Sequence, residues 1–408
     1  MHKLCFNELG QHLKNHGSAF WLHAAILITF IGASSAPSPL YEYYAREWGL
    51  GSLAVTMVFA VYAVAVLLTL LVVGSLADHF GTRPVLLAAI LLQVAAMMVF
   101  AFAPGAAVLA GARALQGVAT GAAMGAAGSA LLAFEGPRTG RGSLVNSAAS
   151  PVGLSTGALG SAALVGYLPE PTKGVYFCIA VLLLVFGTGL FFIPSAGAKT
   201  PGWLHSLLPK ASIPAAARRT MVVTMPVAAA TWALAGFYLS LGPGLAHSIT
   251  GNGSVLVGGL ALFTLFVPGA AAILVVRRWS DRNTLMAGVV CLMAGITITV
   301  LAVQLASAPL YFVGTGVAGL GFGSGYYGAM RMTLPLCRPN ERGAMLSSIY
   351  VICYLGFSVP AVAAGLLLNV AGMQGTTLVY GSALVLASVP ALFSVCRRGR
   401  SPLTAVQA

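Results

Sequence analysis

The stretch Gly74-Ser-Leu-Ala-Asp78-His-Phe-Gly81-Thr-Arg83 sets two opposite charges and a turn between two long apolar runs, and the reading of the chain starts there. Residues 53–76 before it and 85–103 after it are almost wholly apolar. Each run is long enough to cross a bilayer, which takes about 20 apolar residues in a helix. Gly81 permits the positive φ of a tight turn. Pro84 suits the first turn of the helix that follows. The stretch therefore reads as the polar hinge of a hairpin whose two arms lie in lipid.

Working outward, the same plan recurs along the 408 residues. Apolar runs fall at 20–37, 53–76, 85–103, 107–134, 144–167 and 175–194, then at 221–246, 255–276, 285–304, 310–334, 344–368 and 377–395. Composition requires such a plan. Charged residues make up 7% of the chain and hydrophobic ones 58%, where a soluble domain carries about 25% charged residues. So few charges cannot clothe a soluble surface, so lipid must be the solvent for most of the outside. Twelve spans use about 240 residues and leave short loops with no large soluble domain. The expected fold is an all-α membrane protein of twelve transmembrane helices in two six-helix, pseudo-symmetric halves. The halves are expected at 1–194 and 220–408, joined by a basic cytoplasmic linker at 195–219 that holds Lys199, His205, Lys210, Arg218 and Arg219. The N-terminal run continues into further spans without a small-residue cleavage site, which reads as an uncleaved first helix.

The net charge of +13 does not point to nucleic acid. The basic residues lie in short loops between spans, which marks topology and not a phosphate-binding patch. With both termini in the cytoplasm, all but four of the 21 lysines and arginines fall on the inner side. Arg46 and Lys173 fall outside, and Arg113 and Arg331 lie within spans. That asymmetry sets the orientation and needs an even number of spans. The six cysteines are scattered without metal-ligand spacing and read as buried small apolar side chains. No Ser–His pair, metal cluster or cofactor loop appears, so neither an enzyme nor a cofactor is expected. Runs such as Gly117-Val-Ala-Thr-Gly121-Ala-Ala-Met-Gly125 and Gly314-Thr-Gly316-Val-Ala-Gly319-Leu-Gly321 set small residues at helical spacing. In lipid such residues let helix backbones approach closely.

The pattern from Gly74 to Leu87 resembles the loop signature of the major facilitator superfamily, with Gly, Leu, Ala, Asp, Gly and Arg in register. The plan of the whole chain agrees with it. A decayed copy follows the eighth span as Arg277-Arg278-Trp-Ser-Asp281-Arg282, where Asp281 is similar to Asp78 and the turn glycine is missing. The resemblance implies a gate. Asp78 would face the start of the eleventh helix near Ser347 and Ser348, and Arg83 would pair with Glu135 at the end of the fourth.

An arginine within a span is costly, by a few kcal/mol. Arg113 stands about seven residues, or about 10 Å, from the outer edge of its span, within reach of snorkelling. The family's fourth helix carries an Arg-x-x-Gln-Gly pattern that Arg113, Gln116 and Gly117 match. The resemblance implies that Arg113 faces the central cavity and serves substrate or proton coupling. Arg331 reads as an interface residue near the inner end of span ten. The fifth span keeps Gly153 and Gly157 of an antiporter pattern, but has Ala158 for its proline and Ser161-Ala162 for its last glycines.

None of the eight acids lies in mid-span. Glu42, beside Arg46, is the nearest proton candidate, with His23 and His247 weaker ones. Tyr41, Tyr43 and Tyr44 read as an interfacial belt. Cavity lining is expected from spans one, four, seven and ten by resemblance, with Tyr238 and Ser240 as candidates and Tyr326-Tyr327 on span ten. The expected function is secondary transport of small organic solutes by alternating access, as efflux of drugs or metabolites with proton coupling. The alternatives are import of an organic acid or other metabolite, and, less favoured, a channel or a membrane enzyme. The partners are a small-molecule substrate, protons and the lipid bilayer, for a monomer in the plasma (inner) membrane.

Overall fold

The computed structural model describes residues 2–74, 76–136, 140–168, 170–196, 211–338 and 341–397, with side chains other than those of 2–15, 78, 171 and 394–397. The regular structure described is helical. The helices are α1 (His2–Ser35), α2 (Tyr41–Trp48), α3 (Ser52–Val73), α4 (Leu76–Phe80), α5 (Thr82–Ala101), α6 (Ala106–Ala133), α7 (Arg141–Val165) and α8 (Pro171–Gly189). After the linker come α9 (Ala215–Thr250), α10 (Val255–Val276), α11 (Asp281–Gln304), α12 (Ala308–Thr333) and α13 (Arg342–Arg397). Helices suit a chain in hydrocarbon because they pair every backbone N–H and C=O within the segment.

Among the described residues, ten helical stretches are long and apolar enough to span a membrane. One of them, Arg342–Phe393, runs 52 residues and breaks at Gly372, whose φ of 65° is non-helical, so it supplies two spans. The 26-residue α12 is a further long helix, and with it the described helices are consistent with twelve spans. Its glycines and tyrosines hold its hydropathy below that of the other spans. Large apolar side chains face outward, such as Val181 at 60% and Leu386 at 69% exposure. Lipid, and not water, tolerates that surface.

Two compact units emerge from the packing, one of Met1–Lys210 with Leu239–Gly244 and Gly253–Phe263, the other of Ala211–Tyr238, Leu245–Asn252 and Thr264–Ala408. In the first, α6 lies against α3 along a glycine stripe. A Cβ on Gly117 would stand 2.7 Å from the Tyr62 carbonyl, and one on Gly125 2.7 Å from that of Gly74. Here α7 lies equally close to α1. A Cβ on Gly153 would meet the Ile28 carbonyl at 2.7 Å. Between the same helices Ser35 Oγ donates to the Leu154 carbonyl at 2.8 Å, and Ser161 Oγ donates to that of Ala36 at 2.7 Å. The serine that replaces a family glycine thus serves as an interhelical donor, and α7 runs on through Pro151.

In the second unit α11 and α12 share the tightest seam. Gly295, Gly314, Gly321 and Gly328 each sit where a Cβ would strike the facing backbone. A buried apolar cluster from Ala217 to Ala391 fills the space beside it. The cysteine reading needs correction. Cys337 and Cys353 are buried, but Cys178 is exposed and Cys291 partly so, since a thiol is apolar enough to face lipid.

Candidate functional site

The turn that opened the reading folds as its residues require. Gly81 has φ 86°, a value that favours glycine over any residue with a Cβ. The turn is stitched to the chain just after α8. Thr82 N–H donates to the Ala196 carbonyl at 2.9 Å, and Ala196 N–H donates to Thr82 Oγ1 at 3.1 Å. Arg83 N–H donates to Ser195 Oγ at 3.3 Å, and Arg83 Nη2 donates to the Ile193 carbonyl.

The expected pair of Arg83 with Glu135 is therefore not formed. Glu135 instead accepts the Gly140 and Gly142 N–H groups, each at 3.0 Å. It serves the N-terminus of α7, whose unpaired N–H groups and partial positive charge favour a carboxylate. The side chain of Asp78, and with it the expected contact to Ser347 and Ser348, lies outside the described residues. Asp281 is paired, with Arg331 Nη2 at 2.6 Å, and Arg331 also lies 5.6 Å from the centre of the Tyr327 ring. The interface reading of Arg331 thus gains a specific partner.

The polar centre of the first unit is Arg113, fully buried. It neither snorkels to the outer edge nor lies open to a cavity. Its Nε donates to Tyr41 OH at 2.6 Å. Its Nη1 donates to the Ser34 carbonyl at 2.7 Å and to Gln116 Oε1 at 2.6 Å. Gln116 Nε2 in turn donates to the Ala33 carbonyl at 2.9 Å. The spacing explains the set. Arg113, Gln116, Gly117 and Thr120 lie three or four residues apart and so share one face of α6, toward the end of α1 and toward α3. Gly117 and Gly121 remove the bulk that would hold α6 away.

Three rings enclose the guanidinium, with centres 5.2 Å (Tyr41), 5.4 Å (Tyr62) and 5.7 Å (Phe100) from its carbon. Their faces carry the negative lobe of the ring quadrupole. Behind them Tyr176 stacks on Phe100 at 5.0 Å and meets Tyr44 OH at 3.0 Å. Among the described residues Arg113 has no carboxylate partner, and its Nη2 has no hydrogen-bond partner. Leaving such a buried charged donor unmade costs upward of about 1–3 kcal/mol. Chemically the node is a desolvated cation with one open donor, held by neutral dipoles: an attractor for an anionic or strongly dipolar group.

Of the expected site residues, Arg113 and Gln116 are brought together and Glu42 is not part of their bonds. The helix does continue past Pro39, through a 3-10 turn into α2. There Glu42 pairs with Arg46 at 2.5 Å. Tyr41 and Tyr44 are buried and only Tyr43 is exposed, which corrects the interfacial-belt reading for two of the three. Their spacing, i and i+3 on α2, was the available signal. His23 is buried and stacked on Phe134, and His247 is buried.

In the second unit Tyr238 is buried, and its hydroxyl lies 2.8 Å from Thr315 Oγ1. It lines a narrow cavity of about 20 Å³ with Phe237, Thr299 and Tyr380. Ser240, two residues on and in the segment Leu239–Gly244 of the first unit, is also buried. Thr315 and Tyr311, which stacks beside Tyr238, were not singled out in the sequence because the glycine pattern dominates α12.

The architecture is that of a multi-pass membrane protein. A family model of the Major Facilitator Superfamily matches residues 22–294, and the chain belongs to that superfamily. Solved structures agree. A nucleoside transporter, NupG, superposes with a TM-score of 0.70 at 13% identity, over 93% of this chain and 99% of its own. The human organic anion transporter MFSD10 (TETRAN) gives a TM-score of 0.65 at 15% identity, over 92% of this chain and 99% of its own. No curated protein matches by sequence.

Proposed function

We propose that the chain is a secondary carrier that exports small organic solutes by alternating access, in exchange for protons, and that it is not an enzyme. The observation that carries the reading is Arg113, a buried guanidinium with an open donor, in a chain of the major facilitator superfamily. A charge held in a membrane span without a carboxylate marks a functional site by default. Its Arg-x-x-Gln-Gly setting resembles the family's coupling pattern, and Gly153 and Gly157 resemble part of its antiporter pattern. Glu42, one residue from Tyr41, supplies the titratable group. Tyr238 and Ser240 belong to the solute pathway, and the turn at Gly74, Asp78, Gly81 and Arg83 with its partial copy at Asp281 belongs to the gate. The halves divide at the 195–219 linker, and both termini lie on the cytoplasmic side of the plasma (inner) membrane, in a monomer.

One observation favours a second reading. The open donor on Arg113 suits an anion, so import of an organic acid is the alternative; the presence of an organic anion transporter among the similar structures points the same way. Proteoliposome flux tests both. A carrier saturates and shows counterflow, while conductance without counterflow would overturn it. An outward-acidic pH gradient should drive solute out of cells if export is proton-coupled; accumulation inside under that gradient selects the importer.

A further inference from the structure

In the second unit, α9, α12 and α13 bring four aromatic rings together, one of them Tyr326, the span-ten tyrosine expected to line the cavity. Trp232 on α9 lies 4.8 Å from Tyr354, 5.7 Å from Tyr326 and 5.7 Å from Phe357, centre to centre, at interplanar angles of 59° to 71°. The arrangement is built, because two glycines let the helices approach. A Cβ on Gly356 would stand 3.0 Å from the Ala229 carbonyl, and one on Gly236 would strike that of Phe357. Trp232 and Gly236 are one turn apart on α9. Tyr354 and Phe357 are buried at the back, whereas Trp232 and Tyr326 are partly exposed. Trp232 and Tyr326 pack against the buried apolar cluster that includes Ala228, Val289, Met330 and Cys353.

A second observation points to a ligand. Trp232 Nε1 is buried and has no hydrogen-bond partner. A buried indole usually finds an acceptor, and a donor left unmade is costly. The rings offer stacking faces and the N–H asks for an acceptor. An ammonium or other cation gains from the faces but brings no acceptor, and it is repelled by the N–H.

We propose that Trp232, Tyr326, Tyr354 and Phe357 form a binding site for a flat aromatic solute that carries a carbonyl oxygen and no positive charge. The partly exposed rings of Trp232 and Tyr326 stack on it, Tyr354 and Phe357 back them, and Trp232 Nε1 donates to its oxygen. The inference names a cargo class for the carrier and rests on that reading for its meaning; the binding itself does not depend on transport.

The test uses the purified full chain in nanodiscs and three probes, measured by calorimetry. Coumarin is flat and neutral with a carbonyl; octahydrocoumarin keeps the carbonyl but is not flat; N-methylquinolinium is flat and cationic without an acceptor. Saturable binding is expected for coumarin, at least tenfold tighter than for either of the others. Trp232→Phe keeps a ring and removes the N–H. It should weaken coumarin at least tenfold while leaving the unfolding temperature within a few degrees of the parent. Tyr326→Leu, which removes a partly exposed ring, should weaken it as well. Equal binding of coumarin to the parent and Trp232→Phe would overturn the proposal, as would equal binding of the saturated or cationic probe, or no binding of coumarin. Absence of coumarin binding in protein that still shows counterflow of another solute would refute this inference alone. Binding without any counterflow would refute the carrier reading alone.

Discussion

A single guanidinium organises the first unit. Arg113 is expensive in lipid, and breaking a buried charged network by removing one partner leaves the others unpaired, whereas an apolar replacement of similar length removes the desolvation cost as well. Arg113→Met should therefore keep the unfolding temperature within a few degrees, or raise it, and reduce counterflow at least tenfold. Arg113→Lys should not restore flux, because an ammonium lacks the fork that serves Tyr41, Ser34 and Gln116 together. Tyr41→Phe should lower stability by about 1.5–3 kcal/mol, the worth of a hydrogen bond to a charged group, read by denaturation in detergent. The sequence made Arg113 and Gln116 legible, because an arginine among alanines and glycines has few places to go. It did not make Tyr41 legible. A tyrosine just past the end of an apolar run has the composition of an interfacial anchor, and only the helical continuation after Pro39 turns it inward. Arg83 misled for a similar reason. The family resemblance implied Glu135, but a guanidinium can also donate to a backbone carbonyl, and Glu135 accepts the Gly140 and Gly142 N–H groups at the start of α7.

Among elements, the close helix pairs were readable in kind and not in detail. Glycine spacing announced α3 against α6 and the dense seam of α12, since in lipid small residues are what lets helices meet. Which glycines carry the contact was not readable. On α7, Gly157 faces the Gly32 backbone and Ser35, while Gly160 faces open space. Gly157→Ala should cost about 1–3 kcal/mol, as overpacking does. Gly160→Ala should cost nothing and gain up to about 1 kcal/mol of helix propensity. Thermal unfolding of the two variants beside the parent checks both, and equal values would refute the seam. The apolar runs of the last two spans end at 368 and resume at 377, and the pattern does not say what joins them. The join is a bend at Gly372, because one residue with positive φ turns the helix without an intervening segment.

At the scale of the whole molecule, composition alone fixed the class. With 7% charged residues the outside must be lipid, and the alternation of apolar runs with basic loops set the number of spans. Substrate and direction were not legible, because the residues that choose a solute are the same neutral aromatics and small polar groups that pack helices elsewhere. The orientation is testable. Single cysteines placed at residues 2 and 406 in a cysteine-free chain should react with an impermeant maleimide only from the cytoplasmic side. For the gate, Asp78→Asn should cut counterflow at least tenfold with normal insertion; flux equal to the parent would remove Asp78 from the mechanism.

The stitches between Thr82 and Ala196 join the hairpin turn to the start of the linker. Mechanically that makes the turn a clasp: its two stitches close directly beside Gly81, the joint of the hairpin whose φ of 86° favours glycine.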